Sequence, residues 1–302
     1  MKFILVAMAG AVMALGPGPG SAREEAAPAA HGVRVGGVER SYLLDMPSKA
    51  SGPVPLVIAL HGGGGNAQTM TPRWLDTARR EGFAVAFPSG LGRNANMGTW
   101  NAGGCCGYAM TSGSDDVAFI GAMIDDIARD HRIDPSRIYV TGLSNGGMLT
   151  YRVGAALASR IAAIAVVSGA MFGEEAPPTT PLPVLIMHGE KDDIVPFKGG
   201  VSPMGLVARS QSRPFREVAY AVDFWRRADG CADEPAIEPH GDVTVETYAR
   251  CAKGGEVVFY RLKSAGHSWP GPPRAVGGLE RAEYDQIDAT EVIWRFFNRH
   301  AR

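Results

Sequence analysis

The chain has 302 residues, 45% hydrophobic and 20% charged, a globular balance long enough to bury a sizeable core in one α/β domain. Its 30 Lys and Arg stand against 31 Asp and Glu, a formal net charge of −1. Nothing supplies the clustered positive charge that phosphate backbones or anionic membranes demand, which argues against nucleic acid as a partner.

Residues 1–22 differ from everything after them: Lys2, an apolar run from Phe3 to Leu15, a helix-breaking GPGPG, then the small residues Ser21 and Ala22. This is the pattern of a secretory signal peptide cut after about Ala22. The apolar run is too short for the ~20 residues that span a bilayer. The mature chain is expected to be exported and, after signal cleavage, free of the membrane. Residues 23–32 read as a flexible leader and residues 33–302 as a single folded domain.

Along that domain, VERSYLLDMP alternates as an antiparallel strand, and residues 54–60 form a buried strand running into the glycine loop HGGGGN. Pro72 opens a helix to residue 81 with Trp74, Leu75 and Ala78 on one face; FAVAFPSG is a short strand closed by Pro88. Ser114, Asp115 and Asp116 make a capped, acid-led helix start, with apolar residues at helical spacing to about His131. Ile138 to Val140 form a strand that passes straight into a helix. Two further strands follow in IAAIAVVSG and LPVLIMHG, then a helix over 216–229, strands in TVETYA and EVVFYRL, and a helix over 287–299. The Pro-rich stretches 173–183 and 199–214 read as surface insertions able to roof a cleft. Strands alternating with helices predict a mostly parallel sheet covered on both faces, a three-layer arrangement whose chemistry gathers at the carboxyl ends of the strands.

At the junction of strand and helix stands Gly142-Leu143-Ser144-Asn145-Gly146, a G-x-S-x-G pattern. In a nucleophile elbow the sharp turn lifts the serine above the sheet and leaves room only for glycine two residues to either side. A serine hydroxyl attacks poorly unless a base takes its proton and a carboxylate holds that base. In the α/β-hydrolase order both must follow Ser144. Of the later histidines, His188 ends a strand and reads as structural, His240 lies between two cysteines, and His300 lies past the last helix. His267 occupies a glycine-flanked loop after a strand, where a base could reach the elbow. The loop HGEKDDIVPF offers Glu190, Asp192 and Asp193 as the acid, and spacing alone does not separate the two aspartates. For the oxyanion, one donor is expected from the backbone N–H of Asn145 and the other from the glycine loop, at Gly63 or next Gly64. Trp100, Tyr108 and Trp269 read as exposed loop aromatics; Trp100 and Trp269 are the expected substrate contacts.

Export makes the four cysteines disulfide candidates. Cys231 and Cys251 flank a polar excursion and are expected to pair. Adjacent Cys105 and Cys106 form either a vicinal disulfide or two buried thiols. No Cys or His spacing fits a metal site, and no cofactor is implied.

Taken together, LHGGGGN, TWNAGGCCG, DDVAFI, RIYVTGLSNGGML, HGEKDDIVPF, GHSWPG and IDATEVIWRFF resemble the extracellular polyhydroxybutyrate depolymerases and feruloyl esterases of carbohydrate esterase family 1. The resemblance covers nearly the whole mature chain. It implies an α/β-hydrolase catalytic domain over residues 33–302 and a serine carboxylic-ester hydrolase working through an acyl-enzyme. Its acid motif H-G-x-x-D-x-x-V-P selects Asp192 over Asp193, and G-H-x-W-P-G selects His267. Family members commonly have a residue other than glycine after the first His-Gly, so the run of four glycines here leaves the second oxyanion donor open. Feruloyl esters of plant polysaccharide are the implied substrate, then short polyhydroxyalkanoate chains, then acetylated xylan. A non-catalytic binding protein on an esterase scaffold is the alternative of another class; it predicts a missing triad member, and none is missing.

Overall fold

The computed structural model describes residues 26–94, 96–272 and 284–302. Strands and helices follow in the order β1 (Ala29–Val35), β2 (Val38–Asp45), β3 (Val54–Leu60), α1 (Thr71–Glu81), β4 (Ala84–Pro88), α2 (Gly107–Thr111), α3 (Asp116–Asp130), β5 (Ile133–Leu143) and α4 (Asn145–Ala156). The second half adds β6 (Ala163–Val167), β7 (Val184–Gly189), α5 (Gly205–Ser210), α6 (Val218–Ala228), β8 (Ala236–His240), β9 (Val243–Tyr248), β10 (Val257–Leu262) and α7 (Ala289–Asn298).

Among the described residues, ten strands make one sheet in the order β1-β2-β4-β3-β5-β6-β7-β10-β9-β8. From β4 to β10 the neighbours are parallel, and antiparallel pairs finish both ends. Because strand side chains alternate faces, β3 feeds two cores at once. Leu56, Ile58 and Leu60 pack with Phe119, Met123, Leu149 and Trp225 of α3, α4 and α6. Val57 and Ala59 pack with Trp74, Ala78, Ile293 and Phe297 of α1 and α7. The central strands are therefore apolar without interruption, as a sheet covered on both faces requires.

Local signals set the helix ends. Pro72 stands in the first turn of α1, and Gly82 ends that helix at φ 77°. Asp115 caps α3 by accepting from the Ala118 N–H at 2.9 Å. Asp116 does more than favour the helix start: it is buried and pairs with buried Arg40 at 2.7 Å.

The leader expected over 23–32 needs correction, since residues from Ala29 onward belong to β1 and pair with β2. His31, Val33 and Val35 alternate toward the core, where His31 stacks on Tyr42 at 5.1 Å between centroids and the two valines join the α3 side. Sequence reading also missed β8, an edge strand exposed along its length and containing Pro239, which a central strand would not tolerate. Cys231 and Cys251 are joined across the β8–β9 hairpin, and Cys105 is joined to Cys106. The expected signal segment, residues 1–22, lies outside the described residues. No described helix is long and apolar enough to cross a membrane.

Candidate active site

Three parallel strands, β5, β7 and β10, deliver Ser144, Asp192 and His267 to the same carboxyl-end rim of the sheet. Ser144 links β5 to α4 with φ 57° and ψ −122°, a sparsely populated conformation for a residue bearing a Cβ. Its N–H donates to the Val167 carbonyl at 2.9 Å, and its carbonyl accepts the first bond of α4 from Met148. Crowding explains the flanking glycines. A methyl group on Gly146 would lie 2.4 Å from the His61 carbonyl oxygen, and one on Gly142 would lie 2.5 Å from the Gly146 carbonyl.

The glycine loop after β3 abuts this turn: a Cβ on Gly62 would stand 3.5 Å from that of Ser144. Of the two glycines expected to donate, Gly64 already gives its N–H to Gly98 O at 2.8 Å, whereas among the described residues no hydrogen bond uses the N–H of Gly63. The N–H of Asn145, first in α4, belongs to the unpaired amino end of that helix.

His61 holds the loop, a part sequence reading did not assign. Its Nε2 accepts from the Gly90 N–H at 2.9 Å, so Nδ1 carries the hydrogen and donates to Gly62 O at 2.7 Å. Burial pushes this imidazole down to about 4, outweighing the hydrogen bond to Gly62 that raises it, so the ring stays neutral near pH 7. The Gly62 carbonyl also accepts from Gly65 N–H at 3.1 Å. In a trans peptide N–H points opposite to C=O, so pinning Gly62 O aims the Gly63 N–H the other way.

Trp100 and Asn145 lock together beside it. Asn145 Oδ1 accepts from the Trp100 N–H at 2.7 Å, Asn145 Nδ2 donates to the Trp100 carbonyl at 3.0 Å, and the indole N–H of Trp100 donates to His61 O at 2.8 Å. The expectation of exposed aromatics is therefore corrected for two of three. Trp100 is 0% and Trp269 2% exposed, the latter giving its indole N–H to Thr290 and packing edge-on against Trp74. Both tryptophans close the interior, which removes them as stacking surfaces; Tyr108 is 40% exposed. Asn101 continues the clamp by giving its N–H to Asp116 at 2.7 Å, the acid already paired with Arg40.

On the other side, Nδ1 of His267 stands 2.8 and 3.0 Å from the two carboxylate oxygens of Asp192. Oδ1 of Asp192 also accepts the N–H groups of Ile194 and Val195 at 2.9 and 2.7 Å. Burial pushes this carboxyl up, but hydrogen bonds from His188 and His267 outweigh it and hold it well below the usual carboxylate range. Of the other two acids weighed, Asp193 faces solvent and Glu190 pairs with Arg261. The acid and base loops are stitched together by Lys191 N–H to Ala265 O at 3.0 Å and Glu190 N–H to Leu262 O at 2.9 Å. The remaining histidines stay apart, His240 beside Glu238 on the hairpin and His300 beside Glu256.

The family model described as Esterase PHB depolymerase matches residues 40–201. NocK of Nocardia uniformis subsp. tsuyamanensis, which bears an esterase name, is 31% identical over 281 residues, 85% of this chain and 80% of NocK. Feruloyl esterase B of Piromyces equi is 30% identical over 76% of this chain, which spans 42% of that relative's length. The bifunctional acetylxylan esterase/xylanase XynS20E of Neocallimastix patriciarum is 28% identical over 77% of this chain, which spans 31% of it. Among solved structures, the acetyl xylan esterase from Aspergillus awamori aligns with a TM-score of 0.55 at 17% identity, over 79% of this chain and 94% of that one. A thermostable esterase aligns at 0.58 and 17% identity, over 91% and 63%. At such identity the likeness is one of fold, the α/β-hydrolase fold. With more than half of its length matched by the family model, the chain belongs to the Esterase PHB depolymerase family and is a carboxylic ester hydrolase.

Proposed function

We propose that this esterase works by acyl transfer through Ser144, with His267 as general base and acid and Asp192 holding the imidazole. His267 Nε2 takes the hydroxyl proton as Ser144 Oγ attacks the ester carbonyl, then gives it to the departing alcohol. Water repeats the attack on the acyl-serine. The N–H groups of Asn145 and Gly63 cradle the oxyanion, each such donor being worth about 10²–10³ in rate. The observation that carries this reading is the paired contact of 2.8 and 3.0 Å between His267 and Asp192. It sits on the rim where Ser144 holds its strained turn.

For the substrate we infer feruloyl-type esters of plant polysaccharide, supported by the relatives named feruloyl esterase. Hydroxybutyrate oligomers and acetylated xylan follow. We also infer that it acts outside the cytoplasm, a reading supported by residues 1–22 and the two cystines. Purified mature protein is to be assayed on methyl ferulate, 4-nitrophenyl acetate and a hydroxybutyrate oligomer. Methyl ferulate is expected to give the highest kcat/KM. Preference for the oligomer would overturn the substrate assignment, and a folded protein inert on all three would overturn the catalytic one.

A further inference from the structure

His188, next to last in β7, is 1% exposed and has no part in the mechanism above. Its Nε2 lies 2.9 Å from the Val195 carbonyl oxygen and 3.3 Å from Asp192 Oδ2. Both neighbours are acceptors only, so Nε2 carries the ring hydrogen and shares it unequally between them. Among the described residues Nδ1 is buried without a partner, and a hydrogen placed there would be stranded. Phe197 stands edge-on to the ring, 6.0 Å between centroids, and keeps that side apolar.

The consequence falls on Asp192. Its Oδ1 is tied by the Ile194 and Val195 N–H groups, and its Oδ2 faces His267 Nδ1 at 2.8 Å. Val195 takes part twice, donating its N–H to Asp192 and accepting from His188 with its carbonyl. A closed ring of hydrogen bonds thus runs from the end of β7 through His188, Val195 and Asp192. It fixes the plane of the carboxylate that must match the His267 ring. A donor on Oδ2 also draws negative charge away from the oxygen that faces the base.

We propose that His188 is a positioning residue for ester hydrolysis, acting through Asp192: its Nε2–H sets the plane of the carboxylate and moderates its pull on the His267 proton. This rests on the triad reading above. A brace acting on the loop alone would steady Val195 and leave the proton chemistry untouched.

The test measures kcat and kcat/KM for 4-nitrophenyl acetate across pH 5 to 9 in the wild type, His188→Leu and His188→Gln. In His188→Leu, kcat falls about tenfold. The acid limb of kcat/KM moves up by about half a unit, because a carboxylate relieved of a donor holds the imidazole proton more firmly. His188→Gln, whose amide N–H reaches the same place, recovers most of kcat and returns the limb. An unchanged kcat and limb in His188→Leu overturns the proposal, as does equal loss in both variants with the limb fixed. Should His188→Leu fail to fold, ¹⁵N spectra of the wild-type imidazoles decide: hydrogen on Nε2 with Nδ1 bare supports the proposal, and hydrogen on Nδ1 overturns it. Ser144→Ala and Asp192→Asn run alongside. Activity surviving in either brings down the triad reading, while its loss there beside an unaltered His188→Leu brings down this inference alone.

Discussion

The two flanks of the proposed catalytic serine are built on opposite plans. On the oxyanion flank, buried side chains hold backbone groups: His61 pins Gly62 O, and Asn145 clamps both peptide groups of Trp100. On the acid–base flank, backbone groups hold side chains: two successive N–H groups fix Asp192, which in turn holds His267. The first plan suits a task in which nothing moves, since dipoles aimed at a developing charge work best when fixed beforehand. The second suits a ring that must take and return a proton, so only the carboxylate behind it is immobilised. Rigidity is spent on the partner of the moving group and kept off that group.

Mutations on each flank break this contrast in order of size. Ser144→Ala removes the group both flanks serve and should cut kcat by about 10⁶ with the fold intact, read by activity beside near-UV circular dichroism. Asp192→Asn keeps the shape of the acid–base flank but loses the charge and the imidazole tautomer it imposes; kcat should fall about 10⁴-fold. Asn145→Ala leaves its own backbone N–H in place and removes only the clamp on Trp100. The expected loss in kcat is about 10- to 100-fold with KM little changed, together with a lower Tm. A loss confined to KM would show that the clamp shapes the binding cleft instead.

The smallest effect lies away from both flanks. Asp229 is wholly buried, accepts from the Leu182 N–H through Oδ1 at 2.9 Å and leaves Oδ2 without a partner among the described residues. Burial pushes its carboxyl up to about 7. The folded state therefore binds a proton that the unfolded chain releases near pH 4, and stability from this group fades as pH rises from about 4 through about 7. Asp229→Asn keeps the Oδ1 acceptor and cannot ionise. Tm measured from pH 4 to 9 should show the variant gaining on the wild type by several degrees toward the alkaline end. A constant difference across the range would refute the assignment, and kcat should stay unaltered throughout.

How much of this the sequence disclosed depends on the span of the interaction. The elbow was legible because its glycines answer to crowding within a few residues, and the spacing His188 to Asp192 carried the acid motif on one loop. Of the tryptophans, neither burial was legible. Trp100 is enclosed by Asn145 and His61, and Trp269 by Thr290 and Trp74, partners 21 or more positions away. His61 was passed over for the same reason, since its tautomer is set by Gly90. Strand β1 was missed because it opens on Ala29, Ala30 and His31, which carry little strand signal, and only pairing with β2 reveals it. Only the bond from Gly64 to Gly98 favours Gly63 over Gly64 as the proposed second donor.

Asn145 serves with its main chain and its side chain at once, and this has a practical cost for anyone reshaping the enzyme. Libraries that trim Trp100 would free the carboxamide of its neighbour and slacken the turn that carries Ser144. Interior packing at Trp100 and the turn proposed for catalysis are therefore wired to one amide, and diversification is better begun around exposed Tyr108.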